Sequence, residues 1–206
     1  MTMYNTERCD ALRVCRKLIF AALVAVLTIA PARGVAQEKP YLNAVKLTFL
    51  SWASGSTKIS YERAFPRLEQ SGELCASFIS MGHDKYDNKP LGFTLRYGHK
   101  FFVAGYDAQK PLQGFYVRPE AIYSHYDYTH SVTGLRTPAR MGALLATVGY
   151  QLCIRRFIAD AWVGGGYSFG TPAETGYYHG FQTWQWFGSS NDNIALSFSI
   201  RLGYLF

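Results

Sequence analysis

Ser124 and His125 stand side by side, Asp127 follows, and His130-Ser131 lie close behind, so a nucleophile, a base and an orienting acid are all present in one stretch. Nucleophilic catalysis needs the base within hydrogen-bond reach of the hydroxyl and a third group to align it. Neighbours in an extended segment point to opposite faces, so Ser124 and His125 cannot form that pair. Loop polarity accounts for the cluster, and no catalytic residue is assigned. His83, His99, His125, His130 and His179 show no paired metal spacing, and there is no Gly-rich phosphate loop. No metal or other cofactor is therefore expected. Cys75 and Cys153 fall in the third and sixth of the extended segments described next. Adjacent strands lie ~4.8 Å apart, which carries these cysteines well beyond the ~7 Å that a disulfide spans. Two free thiols are expected.

The remaining chemistry is a set of isolated charges: Lys46, Glu62, Arg96, Lys100, Arg118, Glu120, Asp160 and Arg201. Each stands in a segment where apolar residues recur with a period of two. The clearest segment closes the chain. Ile194, Leu196, Phe198, Ile200, Leu202, Tyr204 and Phe206 fall on one face, and Ala195, Ser197, Ser199, Arg201 and Gly203 on the other. The same alternation runs through 157–169, 144–154, 115–128, 91–103, 59–65 and 42–52, whereas 73–82 is ambiguous in phase. That makes eight strands. Compact turns (66–72, 105–114 and 155–156) alternate with connections at 84–90, 129–140 and 171–193; the first connection, 53–57, is short.

One apolar face and one face with single charges is the signature of a transmembrane β-barrel. Backbone in lipid must be fully paired, so the sheet has to close. The expected fold is all-β: an eight-stranded antiparallel transmembrane β-barrel, an up-and-down meander with both termini on one side. Tyr41, Phe65, Phe101, Phe102, Phe115, Tyr150, Phe157, Tyr204 and Phe206 are expected in one aromatic girdle, with Trp52, Tyr123, Tyr126, Tyr128, Tyr167 and Phe169 in the other. An eight-stranded barrel is only wide enough for its own side chains. The eight charges then read as a polar network that plugs the lumen; a conduit for small anions needs a wider pore. The long connection 171–193 carries Tyr177, Tyr178, Phe181, Trp184, Trp186 and Phe187. These rings either extend the upper girdle or, with Tyr177, Tyr178, Phe181, Trp184 and Trp186 as anchors, form a recognition surface for an extracellular ligand.

Residues 1–36 read as a secretory signal peptide. Arg13, Arg16 and Lys17 precede the apolar run Leu18–Ala30, and Gly34-Val35-Ala36 supplies small residues for Sec-type export and cleavage after Ala36. The run spans only about 20 Å as a helix, short of a ~30 Å bilayer core. The barrel domain is then 37–206. The whole chain has 49% hydrophobic and 16% aromatic residues with 21 Lys+Arg against 14 Asp+Glu, which excludes a disordered chain. The leader takes five basic and two acidic residues with it, so the net charge falls from +7 to +4. The remaining charges are scattered, and no nucleic-acid partner is expected.

The export signal, the eight alternating segments and a terminal Phe206 in phase with Leu202 and Tyr204 resemble the small outer-membrane β-barrels of Gram-negative bacteria. In those proteins the last aromatic, with the apolar residues two and four before it, is read by the barrel-insertion machinery. The resemblance implies a cell outer-membrane location, contact with outer-membrane lipid, and Leu202, Tyr204 and Phe206 as the insertion signal. Asn43-Ala-Val-Lys46 and Ser60-Tyr-Glu62-Arg63 resemble a family of such barrels with no assigned activity. The expected role is structural or surface-interacting, carried by the extracellular loops, and not enzymatic. One alternative is a lipid-A-modifying acyl hydrolase or acyltransferase. The His and Ser two apart, followed by Asn, that mark the lipid-A deacylase barrels are missing here. A second alternative is an exported lipocalin-like binding barrel, which keeps its apolar face inside.

Overall fold

The structure, a computed structural model, describes residues 40–206 except 49–50, 52–54, 81–89, 130–131, 174–175 and 186. The expected leader lies outside the described residues, as do Trp52, His130, Ser131 and Trp186. Among the described residues nine strands run in chain order: β1 (Asn43–Leu47), β2 (Ser56–Phe65), β3 (Gln70–Ile79), β4 (Leu91–Ala104), β5 (Gly114–Thr129), β6 (Arg136–Ile154), β7 (Phe157–Thr171), β8 (Gln182–Trp184) and β9 (Asn191–Leu205). β1 to β7 pair antiparallel in sequence, β7 pairs with β9, and β9 returns to β1. Eight strands therefore close an up-and-down barrel, as the alternation predicts. β8, a short ninth strand, pairs with the upper part of β9 on the edge away from β7. The rim with both chain ends and the compact turns is called lower here, the opposite rim upper.

Most strand ends shift by a few residues from the pattern reading, and three strands show why. β6 begins at Arg136 rather than Leu144, because β5 offers a full ladder up to Thr129↔Arg136 where local alternation is poor. β1 stops at Leu47. Beyond it, Ser51 turns the chain, its N–H donating to the Thr48 carbonyl at 3.3 Å and its Oγ to the same oxygen at 2.6 Å. β3 acquires its phase from the register with β2 and β4: Glu73, Cys75, Ser77 and Ile79 face inward, Leu74 and Phe78 outward.

The interior is layered. Near the lower rim Ala44, Ala64, Leu112, Cys153, Ile158 and Leu205 form an apolar floor. The waist is ionic. Above it lies an apolar ceiling that includes Ile79, Ile122, Tyr126, Met141, Tyr178 and Phe181. Two inward glycines leave room for the ionic layer. A Cβ on Gly203 would sit 2.6 Å from the Lys46 Cγ, and one on Gly149 would sit 2.4 Å from the Tyr116 hydroxyl. Cys75 and Cys153 are both free and buried.

The outward face is apolar over most of its height. Ile59, Leu74, Leu95, Leu144, Val148, Val163, Phe198 and Ile200 are all exposed. Among the described residues no Asp, Glu, Lys or Arg stands on it between Arg63 near the lower rim and Asp127, Arg136 and Arg140 near the upper. Outward aromatics pair along the lower rim, with ring centroids 4.5 Å apart for Phe115–Tyr150 and 6.2 Å for Phe157–Tyr204. Nearer the upper rim, Phe93–Tyr123 are 6.2 Å apart and Tyr167–Phe169 6.5 Å. Three rings expected in girdles are instead buried: Phe102, Tyr126 and Tyr128. Each shares the even-numbered phase of the inward charges on its strand, and phase prevails over chemical type.

Candidate functional site

The eight charges singled out in the sequence are brought together inside the barrel, all of them buried. Glu73, which the ambiguous phase of its segment concealed, is the hub. Its Oε2 accepts from Lys46 Nζ at 2.6 Å and Lys100 Nζ at 3.2 Å, and its Oε1 faces Arg201 Nη1 and, at 3.4 Å, Arg118 Nη1. Asp160 Oδ2 accepts from Lys46 and Lys100, both at 2.9 Å, while its Oδ1 accepts from the Tyr116 hydroxyl at 2.6 Å. Glu62 accepts from Lys100 at 3.2 Å and from Gln151 Nε2 at 2.9 Å, and also engages Lys46 and Ser71. A second group lies beside the hub, with Glu120 2.7 Å from Arg118 Nη2 and 3.4 Å from Arg96 Nε.

Strand alternation explains why these residues meet. Lys46, Glu62, Glu73, Lys100, Asp160 and Arg201 lie in the same inward phase on six strands, at similar height. In a ring this narrow, side chains of that length reach the axis and interdigitate. Trp162 serves as a platform for three guanidinium groups: Arg201 at 4.1 Å from the ring centroid, Arg118 at 4.7 Å and Arg96 at 5.6 Å. The indole has the same inward phase as Asp160, two residues before it on β7.

Glu62, Glu73 and Asp160 offer carboxylate oxygens within 4.8 Å of one another, a spacing that suits a cation. The ammonium groups of Lys46 and Lys100 contact all three, so the chain supplies its own cations at that point. This layer lies between the apolar floor and ceiling.

Part of the long aromatic connection, 176–184, folds down into the mouth, where Tyr178 and Phe181 are buried and stack at 5.0 Å, while Tyr177 and Trp184 are half-buried; Phe187 stays exposed. Arg96 Nη2 holds it by donating to the Gly180 carbonyl at 2.5 Å, Ser197 Oγ donates to the same oxygen at 3.0 Å, and the Tyr126 hydroxyl donates to the Tyr177 carbonyl at 2.8 Å. The Tyr178 hydroxyl accepts from the Ala173 N–H at 3.0 Å, and burial pushes this phenol up to about 12. Inward polar groups on β9 and β4 draw the loop in, and no local pattern announces such a contact across the barrel.

Ser124 Oγ lies 3.1 Å from Thr94 Oγ1 on the inner face, while His125 points outward against the Phe93 ring at 5.8 Å. The two are thus kept apart by the wall. Under the inserted loop, next to Arg201 and Trp162, is a cavity of about 190 Å³ that sequence reasoning did not anticipate. No protein-family model matches the chain, and neither a curated protein nor a solved structure does.

Proposed function

We propose that the chain is an integral outer-membrane β-barrel with a structural or surface-interacting role, its lumen closed by the ion network and the inserted loop. The observation that carries this reading is the inverted distribution of polarity. Among the described residues, charges pack the waist of the interior and an apolar band covers the outer face. A soluble barrel does the reverse, and exposed apolar patches beyond a few hundred Å² mark an interaction surface. Along β6 the band runs from Leu144 to Ile154. At ~3.4 Å per residue and a tilt near 40° that is roughly 25 Å, the apolar height of an outer-membrane barrel. The lipocalin-like alternative needs an apolar cup, which the ionic waist does not provide.

Membrane fractionation tests this reading. The protein should sediment with outer membranes, require detergent for extraction, and show faster gel mobility before heating than after. Recovery in the soluble fraction without detergent would overturn it. Phe206 lies at the ring closure, its N–H donating to the Asn43 carbonyl at 2.9 Å while its side chain stays half exposed on the outer wall. Phe206→Ser is expected to lower the yield of membrane-assembled barrel while leaving the interior network untouched. An unchanged yield would count against recognition of the C-terminal strand by insertion machinery.

A further inference from the structure

The two-residue turn between β6 and β7 places a guanidinium at the lip of the lower rim. Arg155 takes the left-handed conformation (φ 55°) that closes the turn, and the Arg156 carbonyl accepts from the Leu205 N–H at 2.7 Å. The backbone of Arg156 is thereby fixed against β9. Its side chain is fixed as well. Nε donates to the Tyr41 hydroxyl at 3.0 Å and Nη1 to the Tyr204 hydroxyl at 2.9 Å, with Cζ 5.4 Å from the Tyr41 ring centroid. Tyr41 packs against the apolar floor, whereas Tyr204 stands on the outer wall with its ring edge-on to Phe157. The guanidinium therefore bridges the underside of the barrel and its outer face.

This cation lacks a counter-charge. Among the described residues no carboxylate pairs with Arg156, and its Nη2 has no hydrogen-bond partner. Both phenols accept from the guanidinium, which leaves their own O–H groups to donate. One positive charge with a fork of N–H and O–H donors around it suits a phosphate. The rest of the rim has the same sign. Among the described residues its turns and strand ends carry Arg63, Arg67, Lys110, Arg155 and Arg156 against Glu69 and Asp107, an excess that survives a terminal carboxylate at Phe206. The upper rim is balanced, with Arg136 and Arg140 against Asp127 and Asp192. Clustered basic residues at headgroup depth attract anionic lipid. Directly above Arg156 the outer wall is apolar, with Phe157 and Leu202 both exposed, which favours a phosphate that carries acyl chains over a free one.

We propose that Arg156, held between Tyr41 and Tyr204, binds the phosphate of an anionic phospholipid in the leaflet at the lower rim, the acyl chains lying along the outer wall beside Phe157. The proposal rests on the membrane reading, because the chains need an apolar medium outside that wall.

The test is native mass spectrometry of the full barrel released from neutral-detergent micelles, titrated with dioleoyl phosphatidylglycerol. One lipid should bind. Dioleoyl phosphatidylcholine, with the same chains and no net charge, and glycerol 3-phosphate, with no chains, should not displace it at equal concentration. Arg156→Gln breaks no ion pair and should weaken binding about tenfold, the scale of one charge-assisted contact. Tyr41→Phe combined with Tyr204→Phe keeps the charge, releases the guanidinium and should weaken binding as well, since preorganisation is lost. Arg67→Gln removes the same charge from the turn between β2 and β3, on the opposite side of the ring, and should leave the bound lipid in place. Equal binding of phosphatidylcholine would make the contact indifferent to lipid charge, and displacement by glycerol 3-phosphate would make it a small-anion site. Equal losses from Arg67→Gln and Arg156→Gln would reduce it to diffuse rim charge. Each of these results overturns the proposal, as does parental affinity in either the Arg156 or the double tyrosine variant. Retention of heat-modifiable mobility by a variant separates loss of this site from loss of the barrel. Fractionation is scored independently, so failure of the membrane reading is distinguishable from failure of the site.

Discussion

Glu73→Gln should cost the barrel about 3–5 kcal/mol of stability, the range for removing one partner of a buried ion pair. Glu73 is the carboxylate shared by Lys46, Lys100, Arg118 and Arg201, all buried. The amide keeps the shape and leaves a layer already rich in cations short of one more negative charge. Urea unfolding of the refolded barrel in lipid vesicles, followed by the gel-mobility shift, measures the loss. The same assay on Glu73→Gln combined with Arg201→Met should recover part of it. Removing the guanidinium takes away the charge stranded by the first change, and the two residues are in direct contact, so their effects should not add. Equal losses from Glu73→Gln alone and from the double variant would mean that Glu73 acts by packing and not by charge.

Val148→Arg should cost about 2–4 kcal/mol in the same vesicle assay, the depth-dependent penalty for a basic side chain on the lipid face of a barrel near mid-membrane. Val148 is 55% exposed on the outer wall in the middle of the apolar band, flanked by Val117 on β5 and Val163 on β7. It faces away from the ionic layer, so the penalty reports the medium outside the wall and nothing within. In a soluble barrel an exposed valine tolerates arginine within about 0.5 kcal/mol. The two readings of the outer face therefore differ severalfold in this single measurement, and a near-zero value would return the chain to the soluble class.

How much of this is legible without a structure depends on the strand. In β9, seven apolar residues in unbroken alternation announce both the element and its inward face, including Arg201. In β5 and β7, Arg118, Glu120 and Asp160 follow from the same rule. β3 is different. Gly72, Ala76 and Ser77 blur its period, so Glu73, the hub of the network, takes its facing only from the register imposed by β2 and β4. Tyr126, Tyr128 and Phe102 show the converse, since their type suggested a membrane girdle while their phase takes them inward.

By itself, then, the amino-acid sequence determined the class, the strand count and the facing of most charges, because a period of two is a property of extended backbone and needs no neighbours. Only the tertiary structure decided what those charges meet and that the aromatic connection folds into the mouth onto Arg96. Each of these is a contact between residues far apart in the chain, fixed by ring closure, which no local pattern encodes.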